Sequence, residues 1–202
     1  MAAPELDPSK LSVVTFPHLG LRHSAKPIRR VDAQLQKVAE RMVELMFAHA
    51  GVGLAATQVN VPLRMFVWNP TGKADQAQTT VVLNPTISKP RGNEEAEEGC
   101  LSLPGLHANV VRAKTIHLHG YDIRGQEIDR DFTGFEARIL QHETDHLNGV
   151  MFIDRLSESQ LRDHAETLAI FETDFLSRQR TGSLPDDAAI RAEIAAWEAR
   201  YA

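Results

Sequence analysis

Cysteine is almost absent from this 202-residue sequence, in which Cys100 is the single thiol. One cysteine excludes a disulfide within the chain and is typical of a reducing compartment. Aromatic residues amount to only 6%, and no apolar run approaches the roughly 20 residues that a membrane-spanning helix requires. An excess of basic residues is also lacking. The formal net charge is −5, which argues against binding to nucleic acid or to an anionic membrane.

The amino terminus lacks the basic segment and the apolar stretch of a secretory signal, and acidic residues stand where a transit peptide carries Arg and Ser. The remaining composition, with 43% apolar and 24% charged residues, is that of an ordinary globular protein. We therefore expect a cytoplasmic protein that folds as a single domain over residues 1–202.

Apolar residues at three- and four-residue steps predict a helix over residues 31–50, with Asp32 as its N-cap. Short β-type stretches follow, separated by polar or Gly- and Pro-containing turns. We expect a hairpin loop at residues 69–78 and a solvated loop for most of the glutamate-rich residues 94–98. The predicted strands are 65–68, 79–83, 87–89, 107–111, 114–121 and 127–132.

Two helices are predicted near the carboxyl end. The first begins at Ser157, which opens an S-x-x-Q pattern typical of a capping box. The last covers residues 186–202 and carries Ile190, Ile194 and Trp197 on one face. Few helices and many short strands indicate an α+β fold, in which antiparallel strands pack around a central helix, with one helix at each end.

The central helix contains the sequence QHETDH at residues 141–146. Positions i and i+4 lie on one helix face, so His142 and His146 can direct their imidazoles at one metal ion. Glu143 is rotated away from them and can reach a water on that ion without binding the ion itself. Thr133 and Glu136 stand in the T-x-x-E relation that predicts a capping box at the start of this helix.

A catalytic metal site usually has three protein ligands and an open position, so a third ligand is needed. A histidine six residues after His146 is excluded, because Phe152 occupies that position. A downstream glutamate, as in thermolysin-like peptidases, and Cys100 both remain candidates. The glutamates that this alternative allows are Glu158, Glu166 and Glu172.

Three segments together resemble the peptide deformylases. GVGLAATQ at residues 51–58, EGCLS at residues 98–102 and QHETDH at residues 141–146 resemble the three motifs of that family in order and separation. The resemblance extends from about residue 13 to about residue 178. It leaves residues 182–202 as a carboxyl-terminal extension of the catalytic domain.

The resemblance implies that Cys100, His142 and His146 bind the metal ion and that Glu143 is the catalytic carboxylate. It also implies that Gln58 and the backbone N–H of Leu101 bind the oxyanion. The implied reaction is removal of the N-formyl group from N-formylmethionyl peptides, with release of formate. The implied cofactor is one divalent ion, Fe²⁺ in the cell, which Zn²⁺, Ni²⁺ or Co²⁺ can replace.

The methionine side chain of such a substrate needs an apolar pocket, for which Val52, Leu54, Phe135 and Ile139 are candidates. The peptide is expected to lie extended beside Val52 and Gly53, pairing backbone to backbone as an added strand. This mode makes few demands on later side chains of the substrate. A broad-range processing enzyme requires such a mode. The resemblance also implies a cytoplasmic enzyme of the bacterial type.

Three further features qualify the resemblance. Glu98 and Arg112 are a candidate ion pair that braces the Cys100 loop, with an ordinary surface pair as the alternative. Thr144 stands where family members usually carry an apolar residue, so we expect an effect on packing rather than on chemistry. A basic carboxyl-terminal helix contacts the ribosome in some deformylases. The mixed charge of residues 182–202 does not favour that role, so the expected ribosome contact is only transient.

A thermolysin-like peptidase and a metal-stabilised binding module without activity are the competing interpretations. The first predicts that a downstream glutamate, not Cys100, binds the metal. The second predicts no use for Glu143 or Gln58, because a structural metal site needs neither a general base nor an oxyanion donor.

Overall fold

The computed structural model describes residues 6–74 and 78–202. Within these ranges the chain forms one five-stranded antiparallel sheet together with five α-helices. The strands are β1 (Gly53–Ala55), β2 (Met65–Trp68), β3 (Thr80–Cys100), β4 (Leu103–Tyr121) and β5 (Glu127–Thr133). The helices are α1 (Ala33–Ala48), α2 (Gly134–Leu147), α3 (Glu158–Asp163), α4 (Ala165–Arg180) and α5 (Asp187–Tyr201). This arrangement confirms the α+β class.

The sheet is a meander in which each strand pairs with the next one along the chain. Strand β2 shows how the sheet is covered. Met65 and Val67 belong to the apolar cluster formed with α1, whereas Phe66 and Trp68 belong to the cluster formed with α2. Successive side chains of a strand point to opposite faces, so the sheet lies between these two helices at this point. Burial on both faces explains the unbroken apolar run of β2.

The predicted amino-terminal helix is confirmed as α1, within two residues at each end. Asp32 is its N-cap, and the carboxylate accepts hydrogen bonds from the N–H groups of Gln34 and Leu35. These bonds satisfy two of the donors that a helix start leaves free.

The strands β3 and β4 are longer than the sequence indicated, at 21 and 19 residues, and each merges two predicted strands. Register shifts between Leu83 and Thr86 and between Ser88 and Arg91 interrupt the alternation of β3 side chains between the two faces of the sheet. Beyond Leu83, β3 pairs with β4 alone, so one side of the strand is an edge. An edge tolerates Pro90 and Gly92, which lie just after the predicted strand 87–89.

The predicted solvated loop at residues 94–98 is wrong, because these residues lie within β3. Glu94, Glu95 and Glu97 are exposed as expected for a polar run. Glu98 is buried, since its side chain turns inward towards α2. The predicted hairpin loop at residues 69–78 includes residues 75–77, which lie outside the described residues, as do residues 1–5.

The helix that carries QHETDH is confirmed as α2, but its predicted capping box is wrong. Thr133 occupies the N-cap position without a side-chain hydrogen bond to the helix. Its hydroxyl instead donates to the carbonyl of Lys114 on the neighbouring strand, at 3.2 Å. Pairing with β4 therefore takes the place of the local cap.

Two of the carboxyl-terminal helices, α3 and α5, begin where the sequence predicted, but the helix predicted from Ser157 is divided at His164 into α3 and α4. Ser157 caps α3 in a capping box, and Asp186 caps α5. The predicted apolar face of α5 is buried, and Trp197 and Tyr201 join the core cluster around α1. None of the helices in the described ranges combines the length and the apolar character needed to cross a membrane.

Candidate active site and metal centre

Three potential metal ligands from two distant segments meet at one place. Cys100 ends β3, and His142 and His146 lie one turn apart in α2. The Cys100 Sγ lies 3.3 Å from the Nε2 of His146, which lies 3.2 Å from the Nε2 of His142. All three potential ligand atoms lie within 4.8 Å of one another.

This donor set fits a divalent metal ion. Two nitrogen ligands about 2.1 Å from an ion at a tetrahedral angle are roughly 3.4 Å apart. The two Nε2 atoms, 3.2 Å apart, are close to that separation. A metal ligand must also be deprotonated. Burial lowers the pKa of His146 well below its ordinary value, which favours the neutral imidazole. Burial also acts to lower the pKa of His142, but hydrogen bonds with Cys100 and Glu98 outweigh it and raise that pKa to about 10, so an ion that binds there must displace a proton.

The Glu98 carboxylate orients His142. One of its oxygens lies 3.0 Å from the Nδ1 of His142, which leaves Nε2 to face Cys100 and His146. Arg112 binds both oxygens of Glu98 through a bidentate contact of 2.5 and 2.8 Å. Burial alone would raise the pKa of Glu98, but hydrogen bonds from His142 and Arg112 hold it well below its usual range. The two side chains are only 5% and 2% exposed, so the alternative of a surface pair is wrong.

Glu143 lies beside these ligands with one oxygen unused. Its Oε2 is buried and has no hydrogen-bond partner among the described residues. Burial raises the pKa of this carboxyl group to about 7, so it can gain and lose a proton near neutral pH. Gly53 is packed directly against the Glu143 side chain. A residue with a Cβ at this position would clash, since that atom would lie 2.7 Å from the Cδ of Glu143.

Gln58 is held by its own carbonyl oxygen, which accepts a hydrogen bond from the N–H of Ala55 at 2.9 Å. Its amide nitrogen therefore faces the other way, 3.4 Å from the Cys100 Sγ and 3.2 Å from the hydroxyl of Ser102. Leu101 follows Cys100 directly and lines the same cavity. The structure thus brings both predicted oxyanion-binding residues to the cavity that contains Cys100.

A cavity of about 450 Å³ opens beside Cys100, His142 and Glu143. Four of the predicted substrate-binding residues line it, namely Val52, Gly53, Phe135 and Ile139. Leu54 does not. Its side chain is fully buried in the core cluster with α1, because neighbours along a strand point to opposite faces. The prediction of Leu54 as a pocket residue is therefore corrected.

The downstream glutamates of the thermolysin-like interpretation lie elsewhere. Glu158 is on α3, and Glu166 and Glu172 are on α4. In the described ranges, the group of side chains that could hold a metal ion contains Cys100 but none of these glutamates.

Two buried arginine contacts near the site were not predicted from the sequence. Arg138 precedes His142 by one helical turn and donates to Glu98 at 2.6 Å, a contact across 40 residues that no local pattern indicates. Asp145 accepts from Arg112 at 2.7 Å and from Arg155 at 2.6 Å. No local pattern indicates the first of these pairs, because Arg112 is 33 residues away in sequence.

Known proteins resemble the chain in sequence and in structure. The sequence model described as polypeptide deformylase matches residues 10–162. The chain belongs to this family. A peptide deformylase of Rhodopirellula baltica is 52% identical over 191 residues, which cover 95% of each chain. A plant peptide deformylase superimposes with a TM-score of 0.81 at 33% identity, over 89% of this chain and 96% of the other.

A bacterial structure, the peptide deformylase of Thermotoga maritima, superimposes with a lower TM-score of 0.68 but at a higher identity of 40%. That alignment covers 73% of this chain and 97% of the other. The chain is therefore an enzyme, a metal-dependent hydrolase that removes the N-formyl group from formyl-methionine at the start of nascent polypeptides. The binding-module interpretation is accordingly wrong.

Proposed function

We propose that this deformylase holds its catalytic metal ion through Cys100, His142 and His146. The observation that carries the proposal is the meeting of these ligand atoms within 4.8 Å, beside a buried carboxylate oxygen of Glu143 that lacks a partner. Three protein ligands leave a position for water or substrate, as catalysis requires.

Glu143 is proposed as the group that moves the proton. When bound, a divalent ion supplies a water nucleophile that is ionised near neutral pH. Glu143 accepts the proton of the attacking water and later donates it to the nitrogen that leaves, so the carbon–nitrogen bond breaks to give formate and a free amino terminus. A carboxyl group with a pKa of about 7 suits both directions of transfer.

The Gln58 amide and the backbone N–H of Leu101 are proposed to stabilise the negative charge that develops on the formyl oxygen. The bond from Ala55 to the Gln58 carbonyl oxygen keeps the Gln58 amide nitrogen directed towards Cys100, where the formyl oxygen is proposed to bind. Loss of one such donor typically lowers kcat by about 10²–10³-fold. We expect a loss of this size for Gln58→Leu.

The apolar pocket for the methionine side chain is proposed to include Val52, Phe135 and Ile139, which line the cavity. The peptide backbone is proposed to pair with the segment at Gly53. Among the strands of the described residues, β1 pairs with β2 alone, so its other edge is available for an added strand.

Formate release from formyl-Met-Ala-Ser by metal-loaded protein purified without oxygen tests the site. We expect Glu143→Gln to abolish activity while keeping the metal, and Cys100→Ser to lose both. Glu166→Gln serves as the matched control for the thermolysin-like interpretation and should retain both. Full metal content and activity in Cys100→Ser would contradict the proposed ligand set.

The metal in the cell is proposed to be Fe²⁺, with Zn²⁺, Ni²⁺ and Co²⁺ as substitutes. Cys and His ligands alone would suit zinc, and the family resemblance supports iron. A thiolate beside ferrous iron should make activity sensitive to peroxide, since Cys100 can be oxidised. Metal analysis of protein purified without oxygen tests this assignment. Zinc-only protein with full, peroxide-resistant activity would contradict it.

We also propose that residues 1–202 form one catalytic domain and that any ribosome contact is transient. Burial of Trp197 and Tyr201 in the core around α1 supports the first point, because the carboxyl-terminal extension then belongs to the same folded unit. The cytoplasmic location expected from the sequence remains a prediction.

A further inference from the structure

Arg138 is a buried arginine in the wall of the active-site cavity. Arg138 is 7% exposed and lies in α2 between Phe135 and His142, on the side of the helix that faces the cavity. A buried guanidinium requires partners for its charge and its N–H groups. The identity of those partners shows what the residue does.

The Arg138 guanidinium joins α2 to the two long strands. Its Nη1 donates to the Glu98 carboxylate at 2.6 Å and to the carbonyl of Val110 on β4 at 2.9 Å. Its Nη2 donates to the carbonyl of Glu94 on β3 at 2.7 Å. One side chain therefore fastens the helix of the histidines to the strand that ends at Cys100.

Glu98 is the centre of this connection. Its carboxylate contacts Arg138, Arg112 and the Nδ1 of His142, so two guanidiniums fix the group that orients a metal ligand. Arg112 also binds Asp145 and lies in β4, whereas Arg138 comes from the same helix as His142. Loss of Arg138 would leave Arg112, on the sheet side, as the remaining guanidinium bound to Glu98.

We propose that Arg138 is a positioning residue, which sets the spacing between Cys100 and the α2 histidines so that all three can bind one ion. This inference rests on the ligand set proposed above. The role requires arginine, because only a planar fork can bind a carboxylate and two carbonyl groups that lie in different directions. Lysine would keep the charge beside Glu98 but would lose part of the link to the strands.

The test compares Arg138→Met, which keeps an unbranched apolar side chain, with Arg138→Lys. Arg162→Met is the matched control, because the Arg162 side chain is 72% exposed on α3. Each protein is loaded with Co²⁺. The visible absorption of the ion reports its geometry, and competition with a chelator gives its affinity. Formate release then gives kcat and KM separately.

For Arg138→Met we expect metal affinity to fall about 10–100-fold, as is usual when a partner that orients a ligand is removed. The cobalt spectrum should change, and kcat should fall more than KM rises. Arg138→Lys should give an intermediate loss, and Arg162→Met should match the unmodified enzyme. A general loss of stability would lower the unfolding temperature without altering the cobalt spectrum of the folded protein.

The inference is overturned if folded Arg138→Met keeps the cobalt spectrum and a metal affinity within about twofold of the unmodified enzyme. If circular dichroism shows that Arg138→Met does not fold, the same measurements on Arg138→Lys decide. Cys100→Ser separates the two proposals. An unchanged cobalt spectrum in Cys100→Ser contradicts the ligand set. If the spectrum changes in Cys100→Ser but stays unchanged in the Arg138 variants, only the role of Arg138 is contradicted.

Discussion

Thr144 is a residue whose buried polar atom should lower the stability of the fold. The hydroxyl of Thr144 is buried and has no hydrogen-bond partner among the described residues. The residue borders a cleft with Arg64 and Asn148 that is separate from the catalytic cavity. A hydroxyl group removed from water without a partner destabilises the fold by about 1–3 kcal/mol.

Thr144→Val should therefore raise the free energy of unfolding by about 1–2 kcal/mol, because valine keeps the branched shape and removes the unpaired hydroxyl. Urea unfolding of the metal-loaded protein measures the change, and formate release should stay the same. Thr57→Val is the opposite control, since its hydroxyl donates to the carbonyl of His146 at 3.1 Å and its loss should destabilise. Destabilisation by Thr144→Val would contradict the prediction.

His18 is a second residue whose burial has a measurable consequence. It is 4% exposed, and its Nδ1 accepts a hydrogen bond from the N–H of Gly20 at 3.1 Å. The ring packs edge-on against Phe175 of α4, with centroids 6.0 Å apart. Burial lowers the pKa of His18 to about 4, because the charged ring is poorly solvated there.

The lowered pKa of His18 should make the folded protein less stable as the pH decreases. The unfolded chain binds a proton at this residue below pH ~6.5, whereas the native state resists protonation until about pH 4. The free energy of unfolding therefore decreases as pH falls from 6.5 to 4, by on the order of 3 kcal/mol, and the effect levels off below pH 4. Urea unfolding at several pH values measures this slope.

The variant His18→Asn isolates this effect, because asparagine can accept the bond from Gly20 and does not titrate. Its unfolding free energy should fall less between pH 6.5 and 4 than that of the unmodified enzyme. His119→Asn, at a side chain that is 39% exposed on β4, is the control and should keep the original slope. Parallel losses in His18→Asn and the unmodified enzyme would rule out His18 as the source.

Among the elements, α5 is the one whose contribution the family resemblance did not explain. Its Trp197 is fully buried and stacks with Tyr201, with ring centroids 6.0 Å apart. The Tyr201 hydroxyl donates a hydrogen bond of 2.8 Å to the carboxylate of Asp32, and Asp32 is also the N-cap of α1. The last helix thus supports the start of the first one.

Trp197→Ala should lower the free energy of unfolding by about 3–5 kcal/mol, the usual result when a large aromatic side chain is removed from a core. The control Ile170→Ala, at a residue that is 63% exposed on α4, should change it by less than about 0.5 kcal/mol. Chemical unfolding measures both. A loss below 1 kcal/mol for Trp197→Ala would mean that α5 contributes little to the folded unit.

For the whole molecule, the metal should act as a clamp between the end of β3 and α2, since its proposed ligands come from both. A ligand that binds only the native state at 100 times its Kd stabilises it by about 2.7 kcal/mol. For a domain of this size, that corresponds to an unfolding temperature about 5–10 °C higher. Removal of the metal with a chelator should reverse the shift.

Thermal unfolding of chelated and metal-loaded protein checks this prediction. Glu143→Gln should keep the metal-dependent increase in unfolding temperature while lacking activity, because Glu143 is not a proposed ligand. Cys100→Ser should lose most of the increase. An increase in Cys100→Ser equal to that of the unmodified enzyme would argue against the clamp.

Local patterns in the sequence were sufficient for features whose physical cause is also local. The Asp32 cap, the apolar face of α5 and the spacing of His142 and His146 depend on helical periodicity over a few residues, so the sequence alone predicts them. The α+β class and the family resemblance follow from the same kind of short-range pattern and from the order of three motifs.

Other features were decided by the tertiary structure. The length of β3 depends on its pairing with β4, the burial of Glu98 depends on Arg112 and Arg138, and the inward turn of Leu54 depends on which sheet face meets α1. Pairing across tens of residues overrides local preference, because its hydrogen bonds and buried area are not encoded in any short window. For the same reason, the place where Cys100 meets His142 and His146 exists only in the folded chain.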